Sequence, residues 1–288
     1  MLNSQLKLLS YNISGGDVSA LAPRGFALAQ KHRAIAELVR WHAPHLVALQ
    51  ETFGLRLDGA PPNDEYDCSA EGEGAELHSA LASQGYALCA TARSHCGDSA
   101  VFACAALAAR RVPLPRPAVG PAALARFKLG ASGEPDLLVA GVHLAPFGPG
   151  AEERLAQTRA VLAAADRLAG AGPPLQLILA GDFNMRKAED AALAALGLED
   201  AFLSTARLRP NRAAHNYTWN SNVNKYHGAE QFAFTARFDR VAFRGGVAAV
   251  AFEVAEGEAR GGPAGHYVSD HYAVVCTLDT GGKGAAGP

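Results

Sequence analysis

Two side chains able to move a proton or hold a cation, Asp182 and Asn184, stand two residues apart at the end of the apolar run Leu177, Ile178, Leu179, Ala180. The run reads as a buried strand, and Gly181 permits a tight turn where it ends. In extended chain both side chains fall on the same side, so a carboxylate and a carboxamide converge at the edge of a core. Asp and Asn also start helices, and AEDAALAAL follows closely, so a helix cap is the competing reading of this pair taken alone. Other apolar runs end in the same manner. LKLLSYN ends in Asn12, HLVALQE in Gln50 and Glu51, and LLVAGVHL carries His143, while RFDRVAF contains Asp239 and HYAVVCTL is preceded by Asp270 and His271.

Each of these groups alone has an ordinary structural explanation as a turn residue, a cap or a satisfied core histidine. Together they suggest a site. Asp239 shares its strand face with Val241 and Phe243, so its carboxylate sits partly in the interior and needs a partner. His271 is the candidate: an Asp that orients an imidazole and stabilises its protonated form makes a good acid or a good partner for an oxyanion. Adjacent Asp270 and His271 point opposite ways in a regular strand, so a turn or bulge is expected there. Glu51, Asp182 and Asp270 offer hard oxygens, and no cysteine cluster or close histidine pair offers the softer set that zinc prefers. Mg²⁺, or Mn²⁺ in its place, is the expected cofactor, completed by waters and substrate phosphate oxygens. One such cation, a carboxylate base, an amide donor and an imidazolium suit phosphoester hydrolysis, where the main task is to neutralise and position charge on phosphoryl oxygens.

The elements that must position these groups alternate between strands and helices early in the chain. Helical spacing runs from Phe26 to His42 before Pro44, and again through AEERLAQTRAVLAAADRL, which ends at Gly170. A short helix is expected near 76–84 and another near 189–196. YALCA and SAVFACAAL read as sequential strands about Gly97 and Asp98, and the proline-rich 114–121 as a surface crossing or an edge. The mixture predicts an α/β fold with mixed sheets, in which functional groups collect at strand ends. One domain over 1–279 and a disordered tail over 280–288 are expected.

At 288 residues and 49% hydrophobic, the chain can bury a sizeable core. No run approaches a membrane span and no basic leader with a cleavage site opens it, so an intracellular location, nucleus or cytoplasm, and no membrane partner are expected. Five cysteines, odd in number and without zinc spacing, fit a reducing compartment. The net charge of -2 excludes a global pull toward polyanions, so any nucleic-acid contact is local. The charge is uneven: residues 58–76 hold seven acids and no Lys or Arg, and residues 205–244 hold seven Lys or Arg against two acids.

The ordered set SYN, LQE, HL, GDFN, RFDR and SDH resembles the endonuclease/exonuclease/phosphatase superfamily of Mg²⁺-dependent phosphoesterases over roughly residues 6–278. Within it, GDFNMR followed by YTWNSNVN, ARFDRVAFR and SDHYAVVCTL most resembles the 5′-tyrosyl-DNA phosphodiesterases, which remove tyrosyl adducts from 5′ DNA ends. The resemblance implies a four-layer α/β sandwich of two packed sheets with helices outside and the site at one rim. It implies Glu51 as principal Mg²⁺ ligand with Asn12 and Asp270 in the metal and water shell, Asp182 as the group that activates water, and Asn184 and His143 on the phosphate. His271 would stabilise the pentacovalent phosphate with Asp239 as its orienter, and Trp219 would line the substrate cleft, with a core anchor as the other reading. Single-stranded DNA 5′ ends are the implied partner, and a monomer the expected state. Ser14 departs from the aspartate usual two residues after the first motif's asparagine, and the acidic 58–76 stretch is unlike what a DNA groove requires. Other readings are a superfamily phosphoesterase acting on abasic DNA, RNA, an inositol phosphate or a phospholipid head group, and a non-catalytic binding module.

Overall fold

The computed structural model describes residues 4–15, 27–53, 73–94, 97–116, 118–130, 135–147, 150–170, 172, 175–208, 217–227, 233–255 and 266–281. In chain order the elements are β1 (Gln5–Asn12), α1 (Leu28–His42), β2 (Leu46–Thr52), α2 (Glu73–Ser83), β3 (Tyr86–Arg93), β4 (Asp98–Cys104), α3 (Ala105–Ala108) and β5 (Arg111–Val112). There follow β6 (Ala118–Val119), β7 (Ala122–Phe127), β8 (Leu137–His143), α4 (Ala151–Ala169), β9 (Gln176–Asp182), α5 (Asp190–Ala195), β10 (Glu199–Asp200) and α6 (Ala201–Leu208). The last are β11 (Trp219–Asn220), β12 (Thr235–Ala236), β13 (Asp239–Arg244), β14 (Ala248–Ala255) and β15 (Ala273–Asp279). Most of the acidic stretch 58–76, the basic-segment residues 209–216 and 228–232, and tail residues 282–288 lie outside the described residues.

Two mixed sheets pack face to face. One has the order β14-β15-β1-β2-β4-β3 and the other β10-β13-β9-β8-β7-β5, with β6 paired to β7. Each contains one parallel pair, β1 with β2 and β8 with β9. Each parallel pair is joined across a helix-bearing connection, as the geometry of parallel strands requires. Helices α1 and α2 cover the outer face of the first sheet, where Ile35, Leu38, Val39, Leu77 and Leu81 join Leu9, Tyr11, Val47 and Phe102 in one apolar cluster. Helix α4 and α5 cover the second, with Val161, Leu162, Ala165 and Leu193 against Leu138, Ala140, Leu177 and Leu179. The architecture is a four-layer α/β sandwich. Helix α6 closes one side by packing on both β13 and β14. Among the described residues no helix is long and apolar enough to cross a membrane.

Helix ends follow local chemistry. Pro44 cannot continue α1, and Ala43 before it is left-handed at φ 44°, its N–H bonding Val39 O at 2.9 Å. Helix α4 carries Glu152 and Glu153 in its first turn and stops at Gly170, φ 58°. The structure departs from the expected elements at alanine-rich segments. Residues 105–107, the end of SAVFACAAL, together with Ala108 form α3 instead of prolonging a strand, as four strong helix formers favour. Strands β7 and β14 carry weak or mixed alternation, so tertiary packing decides them, whereas α6 is amphipathic but too short for its period to stand out.

The interior between the sheets follows a period of two. Leu6 and Leu8 of β1, Val139 of β8, Ile178 and Ala180 of β9, and Val241 and Phe243 of β13 belong to one intersheet cluster, while their neighbours Leu9, Leu138, Leu177, Leu179 and Ala242 face the helices. Further along the same faces toward one rim, past Ser10 of β1 and Gly141 of β8, stand Asn12, His143, Asp182 and Asp239. The strands meet there in register, with His143 opposite Asp182 and Asp182 opposite Asp239.

Gly181 makes that close approach possible. Its φ is 151°, and a Cβ on it would lie 1.9 Å from Val142 O. Both strands are buried ladders that cannot give way, so Gly181→Ala is expected to cost about 2–4 kcal/mol. Urea denaturation with a shifted midpoint and unchanged slope is the measurement.

Candidate active site

The rim gathers every candidate residue read from the sequence. Asn12 is fully buried, and its Oδ1 accepts the Ser14 N–H at 3.0 Å. That fixes its amide nitrogen toward two carboxylates, Glu51 Oε1 at 3.0 Å and Asp182 Oδ2 at 3.1 Å. So placed, Asn12 is a hydrogen-bond donor that aligns the two acids.

Glu51 reaches the site by irregular backbone. Its parity on β2 matches Val47 and Leu49, which face α1, but its φ of 55° and the shifted β2–β4 register between Leu49 and Thr52 turn it to the rim. Glu51 O accepts the Gly15 N–H at 3.1 Å, and a Cβ on Gly15 would lie 2.1 Å from that oxygen, so the two loops meet only through glycine. Burial raises the Glu51 carboxyl above the usual glutamate range, partly offset by His143 nearby.

Asp182 ends β9 with Oδ1 accepting the Asn184 N–H at 2.7 Å. The expectation that Asp182 and Asn184 converge as extended-chain neighbours changes here. Asn184 is left-handed, φ 52°, and its Nδ2 donates to Leu144 O at 3.0 Å, tying this loop to the one after His143. Asp182 Oδ2 lies 3.7 Å from both His143 Nε2 and His271 Nε2. His143 is oriented by Ser94 Oγ, 3.0 Å from its Nδ1, and its Nε2 is 3.9 Å from Glu51 Oε1.

His271 and Asp239 form a buried pair, Nδ1 to Oδ2, at 2.7 Å. Asp239 has 0% exposure and its second oxygen has no partner among the described residues. Burial pushes its carboxyl up to about 6. Burial alone would lower His271, but Asp239, Asp270 and Asp182 outweigh it and hold the imidazole well above its usual value. At neutral pH the pair is therefore carboxylate and imidazolium. Residues 268–270 are bent, and β15 begins only at Ala273. In this bend His271 turns to Asp239 while Asp270 bonds His227 Nε2 at 2.7 Å. Burial would raise the Asp270 carboxyl, yet His271 and His227 hold it below the usual range.

Trp219, from the β11–β12 hairpin, forms a single bridge to His271 and meets its ring edge-on, centroids 5.0 Å apart at 84°. Phe238 lies against Trp219, and the Arg186 guanidinium sits 4.5 Å from the Phe238 ring and 4.9 Å from that of Phe234. Sequence reading did not mark His227, Ser94 or Arg186. Arg186 follows GDFNM directly; His227 and Ser94 lie in loops without motif or period, and only the fold brings them in.

Asp182, Asp239 and His271 bring ligand-type atoms within 4.8 Å of one another. With His271 held protonated against Asp239, the atoms left for a cation are the carboxylate oxygens of Asp182 and Glu51, a hard donor set. These residues fit a divalent cation.

A family model described as the endonuclease/exonuclease/phosphatase family matches residues 9–271. The chain belongs to that family. Members are divalent-metal-dependent, and this member of the family is a hydrolytic phosphoesterase. Among curated proteins, none matches the chain by sequence. Among solved structures it is similar to D. rerio TDP2 complexed with a single strand DNA product, at 21% identity, covering 96% of this chain and 100% of that one with a TM-score of 0.68. It is similar to TDP2 from C. elegans at 19% identity, 96% and 75% coverage and TM-score 0.68. The mannosyl-6-phosphatase Bt3783 of Bacteroides thetaiotaomicron has 20% identity, 95% and 99% coverage and TM-score 0.63. At these identities the likeness is one of fold.

Behind the endonuclease/exonuclease/phosphatase rim, Arg154 of α4 braces both site loops. It is fully buried, pairs Glu189 at 2.8 and 3.1 Å, and donates to Ala145 O at 3.0 Å and Phe147 O at 2.6 Å. Glu189 in turn accepts the Arg186 N–H at 2.9 Å. Arg154→Met leaves a mostly buried carboxylate unpaired and should cost on the order of 3 kcal/mol. Adding Glu189→Leu should restore most of that loss, and urea denaturation of the single and double variants distinguishes a paired-charge effect from simple loss of packing.

Proposed function

We propose that this phosphoesterase is a Mg²⁺-dependent phosphodiesterase, with Mn²⁺ able to substitute, that hydrolyses 5′-phosphotyrosyl or closely related adducts at the ends of single-stranded DNA, acting as a monomer within the cell through one domain over 1–279. The observation that carries the reading is the aromatic wall of Trp219, Phe238 and Phe234, with the Arg186 guanidinium on its rings, directly beside His271. Flat apolar faces with a cation suit a base or a tyrosyl ring better than a sugar hydroxyl array. The fold shared with a TDP2 bound to a single strand DNA product supports it.

In this reading Glu51 is the principal metal ligand and Asp270 lies in the metal and water shell, while Asn12 aligns Glu51 and Asp182 from behind. Bound there, the cation supplies a Lewis acid for phosphoryl oxygens. Asp182 accepts the proton of the attacking water. Asn184 N–H on Oδ1 and Asn12 Nδ2 on Oδ2 fix the carboxylate, and Oδ2, which lies between His143 Nε2 and His271 Nε2, is the oxygen that faces the water. His271, kept protonated by Asp239, donates to a phosphoryl oxygen as negative charge grows there. His143 meets the same phosphate from the opposite side. An amide NH₂ has two hydrogens, so Asn184 can bind phosphate with one while the other stays on Leu144 O. Trp219 and Arg186 receive the leaving group.

The test is release of tyrosine from a 5′-phosphotyrosyl single-stranded oligonucleotide. EDTA should abolish it and Mg²⁺ restore it. Asp182→Asn and His271→Gln should each lower kcat about 10²–10⁴-fold, whereas Trp219→Ala should mainly raise KM, by roughly tenfold. An intact oligonucleotide with rapid hydrolysis of a sugar monophosphate would replace the DNA reading with a phosphatase like the similar Bacteroides protein. Inertness toward both would leave a binding module.

A further inference from the structure

Lys31 of α1 is a fully buried lysine that the reaction above does not use. A buried ammonium is costly unless its donors are satisfied, and an apolar side chain would fill the same space without that cost. Its Nζ donates to Ser14 O at 2.8 Å and to Tyr226 Oη at 2.8 Å, and it sits 5.0 Å from the centre of the Tyr226 ring. Ser14 is left-handed, φ 50°. That conformation turns its N–H back to Asn12 Oδ1 and its carbonyl into the interior, where Lys31 meets it.

We propose that Lys31 is a positioning residue for the divalent-cation side of the site, locking the Ser14 backbone so that Asn12 presents its amide nitrogen to Glu51 and Asp182. This rests on the metal assignment proposed above. Without the ammonium, Ser14 O is buried with one donor fewer and the left-handed turn loses its anchor. The Asn12 amide then loses the backbone contact that fixes its orientation, and its hydrogen bonds to Glu51 and Asp182 no longer hold the two acids in one arrangement. Tyr226 makes the same lock from the other wall. Its backbone N–H bonds Asn224 Oδ1 at 3.0 Å, and Asn224 Nδ2 bonds Ser269 O at 2.8 Å, one residue before Asp270. The positive charge of Lys31 also favours ionised Asp270. Ser14 carries no carboxylate, so the lysine and the serine backbone together set the geometry of this corner.

The test is Mn²⁺ binding by titration calorimetry, without substrate, on wild type, Lys31→Met and Lys31→Arg. Lys31→Met should weaken Mn²⁺ about 10–100-fold, the scale for removing a partner that orients a ligand. Lys31→Arg, which keeps charge and donors, should recover most of the affinity. In turnover of a generic aryl phosphodiester, the Mg²⁺ concentration for half-activation should rise in parallel while KM at saturating Mg²⁺ stays within about twofold, a split that loss of folded protein does not produce. A folded Lys31→Met with wild-type Mn²⁺ affinity overturns the proposal. If Lys31→Met does not fold, Lys31→Gln and Tyr226→Phe carry the test: at least threefold weaker Mn²⁺ binding supports it, and wild-type affinity in both overturns it. The binding arm contains no DNA, so failure of the tyrosyl-DNA reading leaves its outcome intact. Absence of Mn²⁺ binding by wild type would overturn the metal assignment and this proposal together.

Discussion

The two-residue period of a β-strand decides where this molecule can place chemistry. Two sheets packed face to face share one interior, and each strand sends alternate residues into it. Toward one rim these positions become polar: Leu6 and Leu8 of β1 give way to Ser10 and Asn12, and the apolar inward residues of β8, β9 and β13 give way to His143, Asp182 and Asp239. Core lies below these groups and the open rim above them. Charges at such a boundary are desolvated on one side, so they couple strongly and shift one another, which is why burial raises Glu51 and Asp239 while three carboxylates raise His271.

Regular strands deliver only one inward group at each end, and the site needs more. Every additional group arrives on irregular backbone: Glu51, Asn184 and Ser14 have positive φ, and Asp270 and His271 sit in a bend. Such conformations persist only when their surroundings over-determine them. Here the surroundings are buried ion pairs outside the reacting groups. Arg154 and Glu189 hold the loops after His143 and Asn184. Arg237 and Arg240 flank Asp239 in sequence and grip Asp190 and Asp200 at 2.6–3.3 Å, with Arg240 also 3.4 Å from Met185 O. These pairs are weak contributors to net stability but strong constraints on geometry, since breaking either side strands a buried charge.

The strands that carry the inward groups were legible because each pairs an apolar run with a polar end, a pattern that needs no tertiary knowledge. Asp239 shows it well, since its face was readable from Val241 and Phe243 alone. Its partner His271 was legible from chemistry, since an interior carboxylate is satisfied by an imidazole that it keeps protonated. What the sequence concealed falls into two kinds. The helices 105–108 and 201–208 run for only one to about two turns, shorter than the roughly 11–18-residue window in which a helical period stands out. Backbone reversals were hidden as well: Asp182 and Asn184 looked like same-side neighbours, but a left-handed Asn184 gives them different partners, and the left-handed Ser14 whose N–H orients the Asn12 amide has no sequence signal. Hydrogen bonds across 40 to 260 positions, such as His227 with Asp270 or Ser94 with His143, leave no local signal at all.

The inner set and the rim answer different demands. Proteins with this fold include one crystallised with a DNA product and another named as a sugar phosphatase, at nearly equal identity to this chain. Shared strands can fix the phosphate chemistry, so selectivity must come from what surrounds it. In this chain the surround is the segment 217–227 with Phe234 and Phe238, which supplies Trp219, Tyr226 and His227. That segment is not independent of the inner set. Tyr226 meets His227 edge-on at 5.0 Å and bonds Lys31, whose Nζ also donates to the carbonyl of Ser14, two residues from Asn12. In the proposed reading, a leaving group on the aromatic wall is joined to the amide that aligns Glu51 and Asp182 by three hydrogen bonds, Tyr226 with Lys31, Lys31 with Ser14 O, and Ser14 N–H with Asn12 Oδ1. Leaving-group recognition and the arrangement of the acids then share one chain of contacts.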